Sequence, residues 1–387
     1  MTGPQLSPGV FVEEVPEGTR TITGASTSVA AFIGPTAKGP VGIAVPIRTL
    51  RDLMRAFGGG GGALAQAVRL FFLNGGRSAW VISTGPVSAR PLFGAKARKA
   101  SLKALDGIDG LNLLLIPDTA DLPDRTTAAV IDEALDLCAR RRAFYLLDPP
   151  QRDATRDTPE GILAWLRDNP AVRHPNAALY FPRIRIAGRP RGGQDRRLPP
   201  SGAVAGLCAR SDAARGVWKA PAGIAAELRG LLGLAYETKA PEIRALAREG
   251  VNALQRLGRG RVVAQGARTL AGGEPESEWK YIPVRRLALM LEESLYRGTQ
   301  WAVFEPNGPG LWAQLRLNIS SFLHELFRDG ALAGAKPEEA YFVKCDEETT
   351  PQSEIDLGCV NVVVGFAPLK PAEFVILKIR HCIAQGS

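Results

Sequence analysis

Apolar residues along this 387-residue chain recur at two periods, and the alternation between them divides it into elements. Residues 7–22 (SPGVFVEEVPEGTRTI) hold Val10, Phe11, Val12 and Val15 between Pro8-Gly9 and Pro16-Glu17-Gly18, the pattern of one isolated strand. A lone strand cannot satisfy its own backbone, so it must take a sheet edge elsewhere. Thr27–Ile33 and Gly42–Ile47 read as further strands. Thr49 caps a helix, Leu50–Phe57, with Leu50, Leu53, Met54 and Phe57 along one face. Glycines 58–62 follow, then a helix over Ala63–Leu73 closed by Asn74-Gly75-Gly76 and a strand over Ala79–Ser83, which completes a compact unit over 24–85.

A basic, weakly patterned stretch begins at residue 86. Beyond it the strands Leu111–Ile116, Ala143–Leu147 and Ala177–Phe181 alternate with helices Arg125–Arg140 and Pro159–Arg167, which predicts an inserted α/β domain with parallel pairings over 86–197. A helix over Ser201–Arg215 and a turn-rich strap over 216–223 follow. Trp279–Arg286 reads as an extended run turning into a helix, Arg286–Tyr296, and Trp301–Phe304 as a short strand. Leu311–Arg328 is an amphipathic helix. Trp312, Leu315, Ile319, Leu323 and Leu326 form its apolar stripe, and Arg316, Ser320, His324 and Arg328 step along the other side. Strands Ala340–Cys345 and Leu357–Phe366 flank an acidic loop. In the last run Phe374, Ile376 and Lys378 alternate with Val375, Leu377 and Ile379, a terminal strand. The expected fold class is mixed α/β (α+β): a core domain split into 24–85 and 198–370 by the insertion, with strand arms at 1–23 and 371–387.

Composition adds limits. The chain is 45% hydrophobic and 22% charged, as soluble globular proteins are, and no apolar run approaches the ~18 residues that would span a bilayer. The start lacks a basic patch followed by an apolar stretch, so synthesis and maturation in a cytosol are expected. Five scattered cysteines without a Cys-x-x-Cys read as reduced core residues. The net charge of +9 admits nucleic acid, an anionic membrane or an acidic protein as partner. The densest basic stretch, 183–197, has six arginines but no interleaved aromatics and reads better as a solvated loop than as a nucleic-acid site.

Chemical motifs fail on context. Gly58, Gly60 and Ala63 fit G-x-G-x-x-A but follow a helix instead of a strand, and no Lys-Ser or Lys-Thr completes a phosphate loop. No G-x-S-x-G occurs, His324-Glu325 lacks a second histidine in zincin register, and Asp346-Glu347-Glu348 has no EF-hand spacing. No catalytic residue, cofactor or metal is therefore expected. The terminal strands point elsewhere, since about 20 extended residues reach ~65 Å. A strand given head-to-tail to a neighbour builds rings or open helices, as a polymer subunit does. An enzyme built on the α/β insertion and a DNA-binding protein using 183–197 remain as rivals, and both leave the terminal strands unexplained.

Blocks spread along the whole chain resemble the contractile tail sheath proteins of phages and phage-like injection particles. They are the opening SPGVFVEEVPEGTRTITGASTSVAAFIGPTAKGP, FFLNGGRSAWVI (71–82), LPPSGAVAGLCARSDAARGVWKAPAG (198–223), GRGRVVAQGARTL (258–270), EWKYIPVRRL (278–287), WAVFEPNGPGLW (301–312) and GFAPLKPAEFVILKI (365–379). The resemblance implies a structural subunit, not an enzyme, that stacks as rings, usually six-fold, around an inner tube and contracts. It implies a homo-oligomer partnered by an inner tube protein, a baseplate and a terminator, with no membrane insertion and no direct nucleic-acid contact. Assembly in a cytoplasm and a mature place in a virion tail or extracellular particle also follow. By the same carry-over, Val10, Phe11, Val12 and Val15 are an N-terminal arm and Phe374, Ile376, Lys378 and Ile379 a C-terminal arm, both exchanged between subunits. Arg316, His324 and Arg328 are its candidate tube contacts, while Trp301, Phe304 and Trp312 are expected in the core.

Overall fold

The computed structural model describes residues 21–59, 62–86, 95–150, 155–188, 195–273, 277–369 and 375–382. The expected N-terminal strand with Val10, Phe11, Val12 and Val15, and Phe374 of the C-terminal arm, lie outside the described residues. The first twelve strands are β1 (Ala30–Thr36), β2 (Ala44–Ile47), β3 (Ala79–Pro86), β4 (Leu113–Leu115), β5 (Phe144–Leu147), β6 (Ala177–Phe181), β7 (Ile184–Ile186), β8 (Arg196–Leu198), β9 (Glu227–Leu228), β10 (Gly233–Leu234), β11 (Val251–Leu257) and β12 (Arg261–Ala264). Between them run helices α1 (Leu50–Phe57), α2 (Ala63–Asn74), α3 (Ala95–Lys103), α4 (Asp124–Arg140), α5 (Pro159–Asp168), α6 (Ser201–Arg215) and α7 (Ala240–Arg248).

Nine of these strands form one sheet in the order β2-β3-β1-β4-β5-β6-β11-β12-β9, parallel from β3 to β11 and antiparallel at both margins. All residues of β1, β5 and β6 are buried, as strands covered on both faces require. The core on one face draws on α1, α2 and α6, and that on the other on α3, α4, α5 and α7. β1 pairs with β4, Ala30 opposite Leu113, so the sheet continues across residue 86, where the sequence suggests a change of domain.

On the first face α2 and α6 meet backbone to backbone. A Cβ on Gly202 would lie 2.4 Å from the Ala67 carbonyl oxygen, and one on Gly206 would lie 2.3 Å from that of Phe71. Asn74 closes α2 from within. Its Nδ2 donates to the Leu70 carbonyl at 2.9 Å, and its Oδ1 accepts from the Arg229 N–H at 2.8 Å.

The C-terminal part is built from α8 (Ile282–Gly298), α9 (Pro309–Arg328), α10 (Pro337–Ala340), β13 (Tyr341–Lys344), α11 (Gln352–Asp356), β14 (Cys359–Phe366) and β15 (Val375–Cys382). Its antiparallel sheet runs β13-β14-β15, and a separate core joins it to α8 and α9. Ile22 enters this core, packed where a Cβ on Gly298 would fall 2.6 Å away.

Four local expectations change. Thr49 and Asp52 form a capping box on α1, but only Leu53 and Phe57 of its apolar residues are buried; Leu50 and Met54 face outward. α8 begins at Ile282, earlier than expected, because Pro283 suits a first helical turn. Trp301–Phe304 is no strand: Gln300–Ala302 is a 3-10 turn, and Phe304 sits at φ 74°, 83% exposed and outside the core that Ala302 joins. Cys138, Cys208 and Cys345 are free and buried, whereas Cys359, which stands opposite Cys382 in the ladder, is disulfide-bonded.

Candidate contact surfaces

α9 presents the clearest two-sided surface. Leu311, Trp312, Leu315, Ile319, Phe322, Leu323 and Leu326 face inward, and the loop before the helix is pinned at Asn307. Its Oδ1 accepts from Trp312 Nε1 at 2.9 Å, and its Nδ2 donates to the Cys359 carbonyl at 3.0 Å, so Asn307 ties the start of α9 to β14. Of the three basic residues singled out from the sequence, His324 and Arg328 lie on the exposed face, with the Tyr341 hydroxyl 3.3 Å from His324 Nδ1. Arg316 does not join them: it is half-buried, and its guanidinium donates to the Cys345 carbonyl. The exposed face includes instead Leu317, an apolar residue at 55% exposure that helical stepping from Arg316 overlooks by one position.

The terminal ladder pairs β14 with β15 from Cys359↔Cys382 to Phe366↔Val375, placing Ile376, Lys378 and Ile379 opposite Gly365, Val363 and Val362 of the same chain.

Three arginines of the Arg-rich stretch have internal partners among the described residues. Arg183 Nη2 donates to the Ala120 carbonyl at 3.0 Å and to Asp121 at 2.9 Å; Arg185 pairs with Asp195, and Arg197 with Asp157 at 3.4 Å. These pairs compete with any phosphate for the same donors. Among the described residues no group of three or more His, Cys, Asp or Glu is arranged to hold a metal, and no helix is long and apolar enough to cross a membrane.

Two buried carboxyls mark the carboxyl ends of the central strands, Asp118 after β4 and Asp148 after β5. Burial pushes Asp118 up to about 7, helped by the Asp121 charge. Burial does the same to Asp148, also to about 7, against the pull of Ser201 at the start of α6 and of Arg183. Both groups are protonated more readily folded than unfolded. Their contribution to stability is complete below pH ~4, is lost as pH rises to about 7, and changes little above that. The variant Asp148→Asn is expected to shrink the fall in unfolding midpoint between pH 4 and pH 8 by about half. Urea denaturation at the two pH values reads this, and a fall as steep as that of the unaltered chain would refute it.

Deeper still, Arg286 of α8 grips Asp212 of α6. Nη1 reaches Oδ1 at 3.0 Å and Nη2 reaches Oδ2 at 2.6 Å. Nη2 also donates to the Thr27 carbonyl at 2.8 Å, and Thr27 Oγ1 donates to Asp212 Oδ2 at 2.7 Å. The network joins three segments remote in sequence, which no spacing rule would have brought together.

A cavity of about 670 Å³ opens between the strap at 218–220, α7, the segment 265–268, the start of α8 and Pro368-Leu369.

Comparison with known proteins agrees along the chain. Residues 274–381 match the model of the phage tail sheath C-terminal domain. The tail sheath protein of Enterobacteria phage T4 is 31% identical over 185 residues, 48% of this chain and 27% of that one. The chain thus spans about a quarter of the length of this curated relative. The helical sheath of the anti-feeding prophage in its contracted state superposes with TM-score 0.75 at 29% identity, covering 97% of this chain and 99% of that one. The contracted sheath of an extracellular contractile injection system, PVC, gives TM-score 0.75 at 28% identity over 98% of each chain.

Proposed function

We propose, for a chain that belongs to the contractile tail sheath family, that it is a structural subunit which polymerises as stacked rings around an inner tube and contracts to drive that tube through a target envelope. The observation that carries this reading is the near end-to-end likeness to a contracted sheath at 29% identity. Within the family, an extracellular injection particle is favoured over an infectious phage. The injection-system sheaths match this chain over nearly their whole length, the phage protein over about a quarter of its own. The partners are further copies of the chain, an inner tube protein, a baseplate and a terminator. Assembly takes place in the producing cell, and the mature sheath belongs to the particle outside it.

The arms supply the connections. Residues 1–23 and 371–387 are exchanged with neighbours, so that Val10, Phe11, Val12 and Val15 complete a sheet edge of another copy and Phe374, Ile376, Lys378 and Ile379 do the same at the other terminus. The ladder pairs β14 with β15 within one chain, and in the exchanged arrangement the same pairings would be made with the strand of a neighbour. Contraction then releases energy trapped at assembly while the arms keep the lattice joined.

The outer face of α9 meets the tube through His324, Arg328 and Leu317, with Arg316 acting from behind on the Cys345 carbonyl. Exposed charge pairs of about 0–1 kcal/mol each suit a contact that must break on firing. Charge reversal by Arg328→Glu is expected to leave folding unchanged and to reduce co-sedimentation of sheath with tube; unaltered co-sedimentation would mean another face meets the tube.

Negative-stain electron microscopy of the concentrated protein tests the function itself. Hollow striated tubes are expected. A chain that stays dispersed, alone and when co-expressed with its tube and baseplate proteins, would overturn the reading.

A further inference from the structure

One cysteine pair is placed where it can change what the terminal ladder does. The chain holds five cysteines, of which Cys138, Cys208 and Cys345 are free and buried while Cys359 is disulfide-bonded. The ladder sets Cys382 directly opposite Cys359, at one end of a register that runs from there to Phe366↔Val375. Facing residues of an antiparallel pair have Cα atoms about 4.5–5.5 Å apart, inside the ~4.4–6.8 Å that a disulfide spans, so this rung needs no backbone movement to be bridged. The other three thiols compete poorly. Burial pushes Cys208 up to about 11 and Cys345 up to about 12, and raises Cys138 as well, which withholds the thiolate that exchange requires.

We propose that Cys359 and Cys382 form a redox latch on the last strand, open while subunits are built together in a reducing cytoplasm and closed by oxidation once the particle is outside. The proposal rests on the reading above in which 371–387 is lent to a neighbour. On that reading the latch joins Cys359 of one copy to Cys382 of the next, and each line of exchanged strands becomes one covalent chain. The oxidant is a small disulfide such as oxidised glutathione. The thiolate of one cysteine attacks a sulfur of the small disulfide and expels one small thiolate; the second cysteine then attacks the mixed disulfide and expels the other. The two cysteines give up two protons and two electrons, and the small disulfide takes up both to become two thiols.

The place of the rung in the fold gives the latch its effect. Val360, Val362, Val364 and Phe366 bind β14 into the C-terminal core, so β14 is the fixed strand and β15 the one that can leave. End rungs open most readily, which admits a small oxidant, and a covalent bond there stops the ladder peeling from that end. Cys359 is 3% exposed, so a bond once closed is shielded from reductants. Its carbonyl accepts from Asn307 Nδ2 at 3.0 Å, and Asn307 also holds Trp312 at the start of α9. A pull on the latched strand is therefore passed to β14 at the point where β14 is tied to α9.

The test uses two full-length variants, Cys359→Ser and Cys382→Ser. Each lacks one half of the pair, so neither can close the bond within its own chain. They are assembled with dithiothreitol, separately and mixed in equal amounts beforehand; oxidised glutathione then replaces the reductant, and the products are run on denaturing gels without reductant. The unaltered chain is expected to shift from the single-chain band to a ladder of multiples that collapses on reduction, with Cys359 and Cys382 in the linked peptides. The mixture is expected to give a dimer and nothing larger, and each variant alone only the single-chain band. A mixture of tube-forming variants that stays single-chain, an unaltered chain whose bond is internal, or linked peptides holding other cysteines would each overturn the latch between copies. Electron microscopy of the same samples separates two failures. Striated tubes whose chains stay single strike the latch and leave the sheath reading standing, whereas no tubes and no multiples strike both.

Discussion

Replacing Asp212 by alanine is expected to lower the unfolding free energy by about 3–5 kcal/mol, the largest effect of any single substitution considered. Its partner Arg286 and Asp212 keep only 3% and 5% of their side-chain surface exposed. Removing the carboxylate would leave a buried guanidinium without its counter-charge and strip the Thr27 hydroxyl of its acceptor. Breaking one partner is costly, whereas replacing both by apolar residues of similar volume is often nearly neutral. The double variant Asp212→Leu with Arg286→Met should therefore recover most of the loss. Guanidinium denaturation of the three proteins measures this. A single-variant loss below about 1 kcal/mol would place the pair in a solvated setting and refute the account.

Deleting residues 1–20 should have the opposite profile: little effect on folding and loss of ordered assembly. Ile22, which packs into the third core against Gly298 of α8, stays in place in the truncated chain. Thermal unfolding should shift by no more than a few degrees, consistent with a change below about 1 kcal/mol. Tubes should disappear from electron micrographs, because the proposed head-to-tail lattice would lose one of the strands joining its members. A truncated chain forming tubes of unchanged pitch would remove the N-terminal arm from the mechanism. A truncated chain that unfolds would move the arm into the fold itself.

Strong local signals in the sequence translate directly into the structure. The apolar stripe of α9, the capping box at Thr49 and the fully buried β5 each follow from a few adjacent residues and one period. Failures occur where a partner elsewhere decides. Leu50 and Met54 continue the apolar face of α1 but remain 37% and 55% exposed. Trp301–Phe304 has β-favouring residues, yet the chain turns tightly between α8 and α9 there and drives Phe304 into the left-handed region. Arg316 shares the spacing of His324 and Arg328, but the nearby Cys345 carbonyl draws it inward. The pairing of β1 with β4 and the grip of Arg286 on Asp212 link residues more than 70 positions apart, beyond the reach of any periodicity.

The helix α6 has a mechanical consequence. Gly202 and Gly206 bring its backbone against α2, and Asp212, two to three turns on, locks it to α8. A contact made through backbone atoms has no rotamers to yield, and a buried bidentate ion pair resists shear. The large sheet and the helix beneath the terminal ladder are thus coupled through a stiff strut. Compliance during any large rearrangement is then expected at the margins of the subunit and not between these two elements.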